Sequence, residues 1–406
     1  MSSLKSAVNQ VMNELSQYGS YEQTIDSENT EAVRKSENTP GIYFKSSVDE
    51  SILVFLDEEQ LKKYVSEHSQ YRSSYFYEKL SDRGRLIYRA IEFAMENSYD
   101  TILIKESLCT EEIQLESIAL FLAMDSPLVE QNLRYSIYQY NTVFPLSEEK
   151  PEITVPFKGY CLSIENFTKE LFDKKLLAIE KAKEIITTIP EGASDIEKAE
   201  FLYRYIVNNV EYSVYDGEGD VFPYLHDALI LNKTHCDGSS NAYSLLLNMS
   251  GIKCFEKYAN SDIEGEDGHT WNCAQIDGKW YNFEATTTPN SLAGTDGIGG
   301  GCYFAFADNL LDYTPEFKEL MPVIDSGYFI NSSGHFSSEQ DQGVLDAFTC
   351  AIKESGNKYA VFTFDTFSYD SCEATIQKLV DSLYISVRTV TFEGKTRTIL
   401  YIEVTE

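Results

Sequence analysis

Basic residues are scarce in this chain: 33 lysines and arginines stand against 65 aspartates and glutamates, a formal charge of −32 over 406 residues. No Lys/Arg-rich block interrupts that field, which repels phosphate backbones and anionic lipid surfaces and so excludes nucleic acid and membrane surfaces as partners. Long apolar runs are also missing. The strongest, Ile118-Ala119-Leu120-Phe121-Leu122-Ala123-Met124, falls far short of the about 20 residues needed to span a bilayer, so no membrane insertion is expected. The start, Met1-Ser2-Ser3-Leu4-Lys5, has no apolar signal core; Leu4, Val8, Val11 and Leu15 mark one face of a helix instead. The eight cysteines are spread too widely for a disulfide framework. No Cys-x-x-Cys, His-Glu-x-x-His or other closed ligand spacing occurs, which argues against a metal. Gly294-Thr295-Asp296-Gly297-Ile298-Gly299-Gly300-Gly301 lacks the Lys-Ser/Thr of a phosphate-binding loop and reads as a loop able to cover a cleft.

Against these absences stand three residues in order. Cys236 lies in Thr234-His235-Cys236-Asp237-Gly238, His269 in Gly268-His269-Thr270-Trp271-Asn272, and Glu284 in Trp280-Tyr281-Asn282-Phe283-Glu284. They are the parts of a thiol nucleophile, its base and the group that orients the base. The run Asn241–Met249 has helical character and stops at Gly251, placing the cysteine at a helix N-terminus, where unpaired N–H groups and the helix dipole favour a thiolate. Around His269 the sequence alternates, and Asp277-Gly278 predicts a two-residue turn into a second strand from Lys279 to Thr286. That hairpin would return Glu284 to the level of His269, where a carboxylate fixes the ring tautomer. His235, next to the cysteine on an extended approach, is expected to point the other way and to be a poor base. Trp271 and Trp280, the only tryptophans, are expected chiefly to pack a cleft wall, with Trp271 a candidate substrate contact.

The run from about residue 195 to 290 resembles the transglutaminase-like core, a rearranged relative of papain-type folds. The resemblance is carried by Asn208-Asn209-Val210-Glu211-Tyr212, Asp227-Ala228-Leu229-Ile230-Leu231-Asn232, the cysteine with its helix, Gly251-Ile252-Lys253, His269-Thr270-Trp271-Asn272, and Asp277-Gly278-Lys279-Trp280-Tyr281 before the acid. The spacings of 33 residues from Cys236 to His269 and 15 from His269 to Glu284 also match. The resemblance implies catalysis by Cys236, His269 and Glu284, an oxyanion contact from Tyr212, a protein or peptide substrate and no cofactor. Two departures bear on specificity. The family's acid is usually aspartate, and its Gly-Tyr-Ala after the cysteine is here Gly238-Ser239-Ser240. A catalytically inactive binding or scaffold module of a bacterial surface protein is the alternative, and a glycan-directed amidase a third reading. The acidic, tyrosine-rich composition resembles exported bacterial proteins with this core, which points to the cell exterior.

The fold class expected is α+β: a transglutaminase-like core with an N-terminal helical region and a small C-terminal α/β domain. The boundaries predicted are a mainly helical region over 1–145, the core over 158–324 and the accessory domain over 325–406. Helical spacing is seen over Leu80–Met95 and Glu112–Met124, while Pro145, Pro151 and Pro156 punctuate a polar stretch read as the first linker. Asp125-Ser126-Pro127 resembles an Asp-x-Pro element of bacterial relatives. A helix is expected over about 166–188, and Ser194-Asp195-Ile196-Glu197 predicts a capping box opening another. In the last part, a hairpin of Tyr328-Phe329-Ile330 with Gly334-His335-Phe336, two helices, the strand Tyr359–Phe364 and a final strand pair around Glu393-Gly394 are expected. His335 is read as a surface residue.

Overall fold

The computed structural model describes residues 42–45, 53–55, 61–64, 69–97, 99–109, 112–129, 135–147, 150–164, 169–213, 225–259, 268–286, 305, 308, 315–324, 335–336, 338, 359–364, 366, 368, 383–392 and 395–404. The fold is mixed α+β, and the chain divides into two units, Met1–Glu180 and Lys181–Glu406.

In the first unit β1 (Ile42–Lys45) pairs antiparallel with β2 (Leu53–Phe55). Helix α1 (Asp82–Glu96) starts at Ser81, whose hydroxyl accepts the Gly84 N–H at 3.2 Å, a standard N-cap. Its buried side chains Ile87, Tyr88, Ala90, Ile91, Ala94 and Met95 recur at helical spacing and form one apolar face. After β3 (Thr101–Lys105) comes α2 (Glu112–Asp125). Leu115, Ile118, Phe121, Leu122 and Met124 of α2 are all buried, as befits a helix apolar on most sides.

Strands β4 (Tyr135–Ser147) and β5 (Lys150–Ile164) form a long antiparallel hairpin and complete a five-stranded sheet of order β2-β1-β3-β5-β4. Among the described residues this part of the chain is therefore helix on sheet, where a mainly helical region was expected, and the proline-bearing stretch expected as a linker is strand. The topology shows why prolines fit. Among the described residues β4 is an edge, and β3 pairs with β5 only over Gly159–Ser163, so the part of β5 holding Pro151 and Pro156 has β4 as its one neighbour. A missing N–H is tolerated where no second strand needs it.

Between α1 and α2 lies a buried polar cluster. Arg72 Nε donates to Glu92 Oε1 at 2.5 Å, with both side chains almost fully buried. Asp125 accepts from the Ser73 hydroxyl at 2.5 Å, the Tyr77 N–H at 2.9 Å, the Phe76 N–H at 3.0 Å and the Tyr88 hydroxyl at 3.1 Å. Burial pushes the Glu92 carboxyl up to about 8 despite the opposing Arg72 charge. It pushes Asp125 up to about 6, less far because hydrogen bonds favour the carboxylate.

Helix α3 (Lys169–Ile186) leads into the second unit, and α4 (Asp195–Asn209) follows with the predicted capping box at Ser194 and Glu197. Short parallel strands β6 (Glu211–Tyr212) and β7 (Lys233–Thr234) flank a π-helical turn over Asp227–Leu231, which Asn232 closes in the left-handed conformation. Helix α5 (Cys236–Met249) then packs on the antiparallel sheet of β8 (Cys254–Ala259), β9 (His269–Ile276) and β10 (Lys279–Phe283), with β9 central. Asp277 (φ 50°) and Gly278 (φ 80°) make the tight turn between β9 and β10, the left-handed pair that a two-residue hairpin demands.

Farther on, β11 (His335–Phe336), β12 (Tyr359–Phe364), β13 (Leu383–Phe392) and β14 (Lys395–Val404) form a sheet of order β11-β12-β14-β13. His335 and Phe336 pair in parallel with β12; Tyr328–Ile330, their expected hairpin partner, lies outside the described residues, as do the two expected helices and the glycine-rich loop. The final strand pair around Glu393-Gly394 is β13 with β14.

Candidate active site

Helix α5 sets the position of the thiol. His235 is its N-cap residue in extended conformation, and Cys236 is the first helical residue. N–H groups of the first turn have no intrahelical partner and point toward the end where the sulfur sits. The helix is held against β9 by side chains reaching main chain: the Ser240 hydroxyl donates to Thr270 O at 3.1 Å, and Asn272 Nδ2 donates to Ser240 O at 2.9 Å. Its far side is tied to α4 by the Tyr243 hydroxyl, which donates to Ala199 O at 2.9 Å. Gly238 is required by close approach, because a Cβ there would overlap Thr234 Oγ1. The glycine after Cys236 thus lets the helix start press against β7.

The first residue of β9, His269, hydrogen-bonds to Glu284 through Nε2. Register sets this meeting: Phe283, the last residue of β10, stands opposite Asn272, so the next residue along returns to the start of β9. Glu284 is 1% exposed. Its other oxygen accepts the Thr286 N–H at 2.7 Å, and its carbonyl accepts the Tyr203 hydroxyl at 2.8 Å, so the longer glutamate arm is fixed at both ends. With Nε2 engaged, Nδ1 is the nitrogen left for sulfur.

Cys236 and His269 are shifted toward an ion pair. Burial opposes the Cys236 thiolate, but hydrogen bonds from His235 and His269 and the His269 charge outweigh it and hold the thiol below its ordinary value. Burial likewise opposes the His269 cation, and the Glu284 carboxylate and Cys236 sulfur outweigh it, holding the imidazole well above its usual value.

Trp271 lies against His269, ring centroids 6.1 Å apart and nearly parallel. It is 3% exposed and donates from Nε1 to Asn282 Oδ1 at 3.3 Å. Tyr212 pairs with Thr234, two residues ahead of the nucleophile. Trp280 packs on Phe255.

Three features escaped sequence reasoning. His235 approaches the thiol, with Nδ1 4.0 Å from Sγ, because the chain turns from extended to helical between these residues and strand alternation no longer applies. Tyr258 on β8 stands opposite Thr270: burial first, then the charges of Asp237, Glu316 and Cys236, push its phenol up. Asp308 accepts from buried Lys257 at 2.8 Å, from Asn282 Nδ2 at 3.0 Å and from the Ile324 N–H at 2.9 Å, tying the segment after the core to β8 and β10. No spacing signal marks Asp308; it lies far along the chain from the groups it joins.

Residues 181–285 match the transglutaminase-like superfamily. This stretch is a transglutaminase-like domain. It contains all of Cys236, His269 and Glu284, and the superfamily is one of cysteine-dependent enzymes. The chain also resembles kyphoscoliosis peptidase. It is 22% identical to the human protein over 143 residues, 32% of this chain and 22% of that protein. To the mouse protein it is 24% identical over 180 residues, 39% of this chain and 27% of that one. The match thus spans about a quarter of these relatives' length. Among solved structures, a TGase superposes with a TM-score of 0.26 at 15% identity, over 39% of this chain and 47% of that one. The periplasmic domain of TgpA from Pseudomonas aeruginosa gives 0.21 at 11%, over 46% and 70%. These superpositions are too loose to add to the family match. Among the described residues, no helix is long and apolar enough to cross a membrane.

Proposed function

We propose that the chain is a cysteine-dependent amide-bond enzyme acting on protein or peptide substrates through a thioester. The observation that carries this reading is the placement of His269 between Glu284 and Cys236, with the cysteine at the first position of α5. Cys236 Sγ attacks the carbonyl carbon, and the oxygen takes the negative charge. The Cys236 N–H, with the Tyr212 hydroxyl as a second donor, stabilises that oxyanion; one such donor is worth about 2.7–4 kcal/mol. His269 gives its proton to the departing amine as the C–N bond breaks, leaving the acyl group on sulfur. Water then attacks the thioester while His269 takes its proton, and the C–S bond breaks to release acid and restore the pair. An amine in place of water would give transamidation by the same steps. Hydrolysis is the favoured outcome, in keeping with the peptidase name of the similar human and mouse proteins.

The test is incubation of the full chain with a peptide mixture followed by mass spectrometry of both peptides and enzyme. Cleaved peptides together with an acyl adduct on Cys236, both absent in Cys236→Ala, are expected. A folded wild type that yields neither overturns the reading in favour of a binding module.

A further inference from the structure

Three consecutive side chains at the start of α5 turn toward one another. Cys236 Sγ is 4.0 Å from His235 Nδ1 and 4.0 Å from Asp237 Oδ1, and His235 Nδ1 is 3.8 Å from Asp237 Oδ2. One ligand atom from each lies within 4.8 Å of the others. These are a soft sulfur, an imidazole nitrogen and a carboxylate oxygen, the donors zinc accepts. In a tetrahedral site with bonds of about 2.0–2.3 Å, neighbouring donors stand about 3.3–3.6 Å apart. The two distances to Asp237 run to different oxygens, and with one ligand atom from each residue the donors lie within 4.8 Å of one another, so binding needs side-chain rotations that draw them in by up to about 1 Å.

The triangle is built as well as close. Thr270 Oγ1 donates to Asp237 Oδ1, which orients the carboxylate in the way outer hydrogen bonds orient metal ligands. His235 is the N-cap residue and Cys236 the first residue of α5, which sets their backbone positions. A carboxylate beside a nucleophilic sulfur does nothing for thiolate formation; its charge opposes it. The consecutive arrangement also explains why a search for spaced ligand motifs passes over these residues.

We propose that His235, Cys236 and Asp237 form a binding site for a zinc-type divalent cation, which leaves a fourth position open and blocks the nucleophile while bound. Binding forms a sulfur–metal bond and releases to solvent the proton that the Cys236–His269 pair shares, so affinity rises with pH. The site uses the sulfur assigned to catalysis but needs no turnover, so it stands or falls separately from the proposed reaction.

The test uses cobalt(II) as a spectroscopic stand-in for zinc. Cobalt is titrated into the full chain, following the near-ultraviolet thiolate-to-metal band. In parallel, zinc protection of Cys236 from iodoacetamide is read by mass spectrometry. The expected result is a band of one equivalent that is lost in Cys236→Ala, with affinity reduced by at least about tenfold in both His235→Gln and Asp237→Asn. Two variants guard against a folding failure in one, and circular dichroism reports on each fold. Absence of a Cys236-dependent band overturns the proposal. So does a band of unchanged affinity in both variants, which would assign the metal to Cys236 and His269 alone.

Discussion

Glu284 meets His269 from one residue beyond the end of β10, fully buried and itself anchored by the Thr286 N–H. Replacing its charge without changing its size should therefore be costly. In Glu284→Gln the imidazolium loses the carboxylate that holds its pKa up, and the thiolate loses its cation in turn. Peptide cleavage at neutral pH is expected to fall by up to about 10⁴-fold, the scale on which neutralising a triad acid acts. Glu284→Asp keeps the charge but withdraws it by one methylene and should fall between Gln and wild type. Equal activity in all three would show that the pair plays no part.

The opposite shifts of the two reacting groups set the pH range. Cys236 is held below its ordinary 9.0 and His269 above its ordinary 6.5. His269, raised on folding, contributes stability fully present below 6.5 and lost as pH rises through its folded value. Cys236, depressed on folding, contributes stability present above 9.0 and lost as pH falls through its folded value. The expected activity profile is a plateau with its acid limb below 9.0, set by Cys236, and its alkaline limb above 6.5, set by His269. Rates across pH in wild type and Glu284→Gln check this, since the plateau should narrow from both sides in the variant.

In the first unit the sign reverses for carboxyls. Glu92 is raised from 4.5 to about 8 and Asp125 from 3.8 to about 6. The folded state binds more protons than the unfolded one between these limits, so stability falls as pH rises through the window. Thermal unfolding at pH 5 and pH 8 should show a smaller pH difference for Glu92→Gln than for wild type. An identical difference would remove Glu92 as its source.

Gly238→Ala forces a methyl group onto Thr234 and is expected to destabilise the second unit by about 1–3 kcal/mol. Thr234→Ala removes the obstructing hydroxyl and methyl, so the double variant should recover part of the loss. Denaturant unfolding of the two singles and the double measures the coupling, and strict additivity would contradict the close approach.

The candidate site was largely legible because its signals are local. A cysteine before an apolar helical run, and an Asp-Gly turn between alternating segments, fix Cys236, His269 and Glu284 from short windows of sequence. Elements that depend on distant partners were harder to read. Strand β1 is four residues long, too short to show periodicity, and it becomes a strand by pairing with β2 and with β3. The prolines of the β4–β5 hairpin read as a linker because a sequence does not show which strand lies at an edge. His235 was misplaced by applying strand alternation across a helix start, and the Asp308 contacts join residues 26 and 51 positions apart.

The most direct test of the account is the rate of alkylation of Cys236 against pH, located by mass spectrometry, in wild type and His269→Ala. The wild-type thiol is expected to titrate below its ordinary value, with that shift lost in the variant. An ordinary thiol in wild type, unchanged by removal of His269, would contradict it.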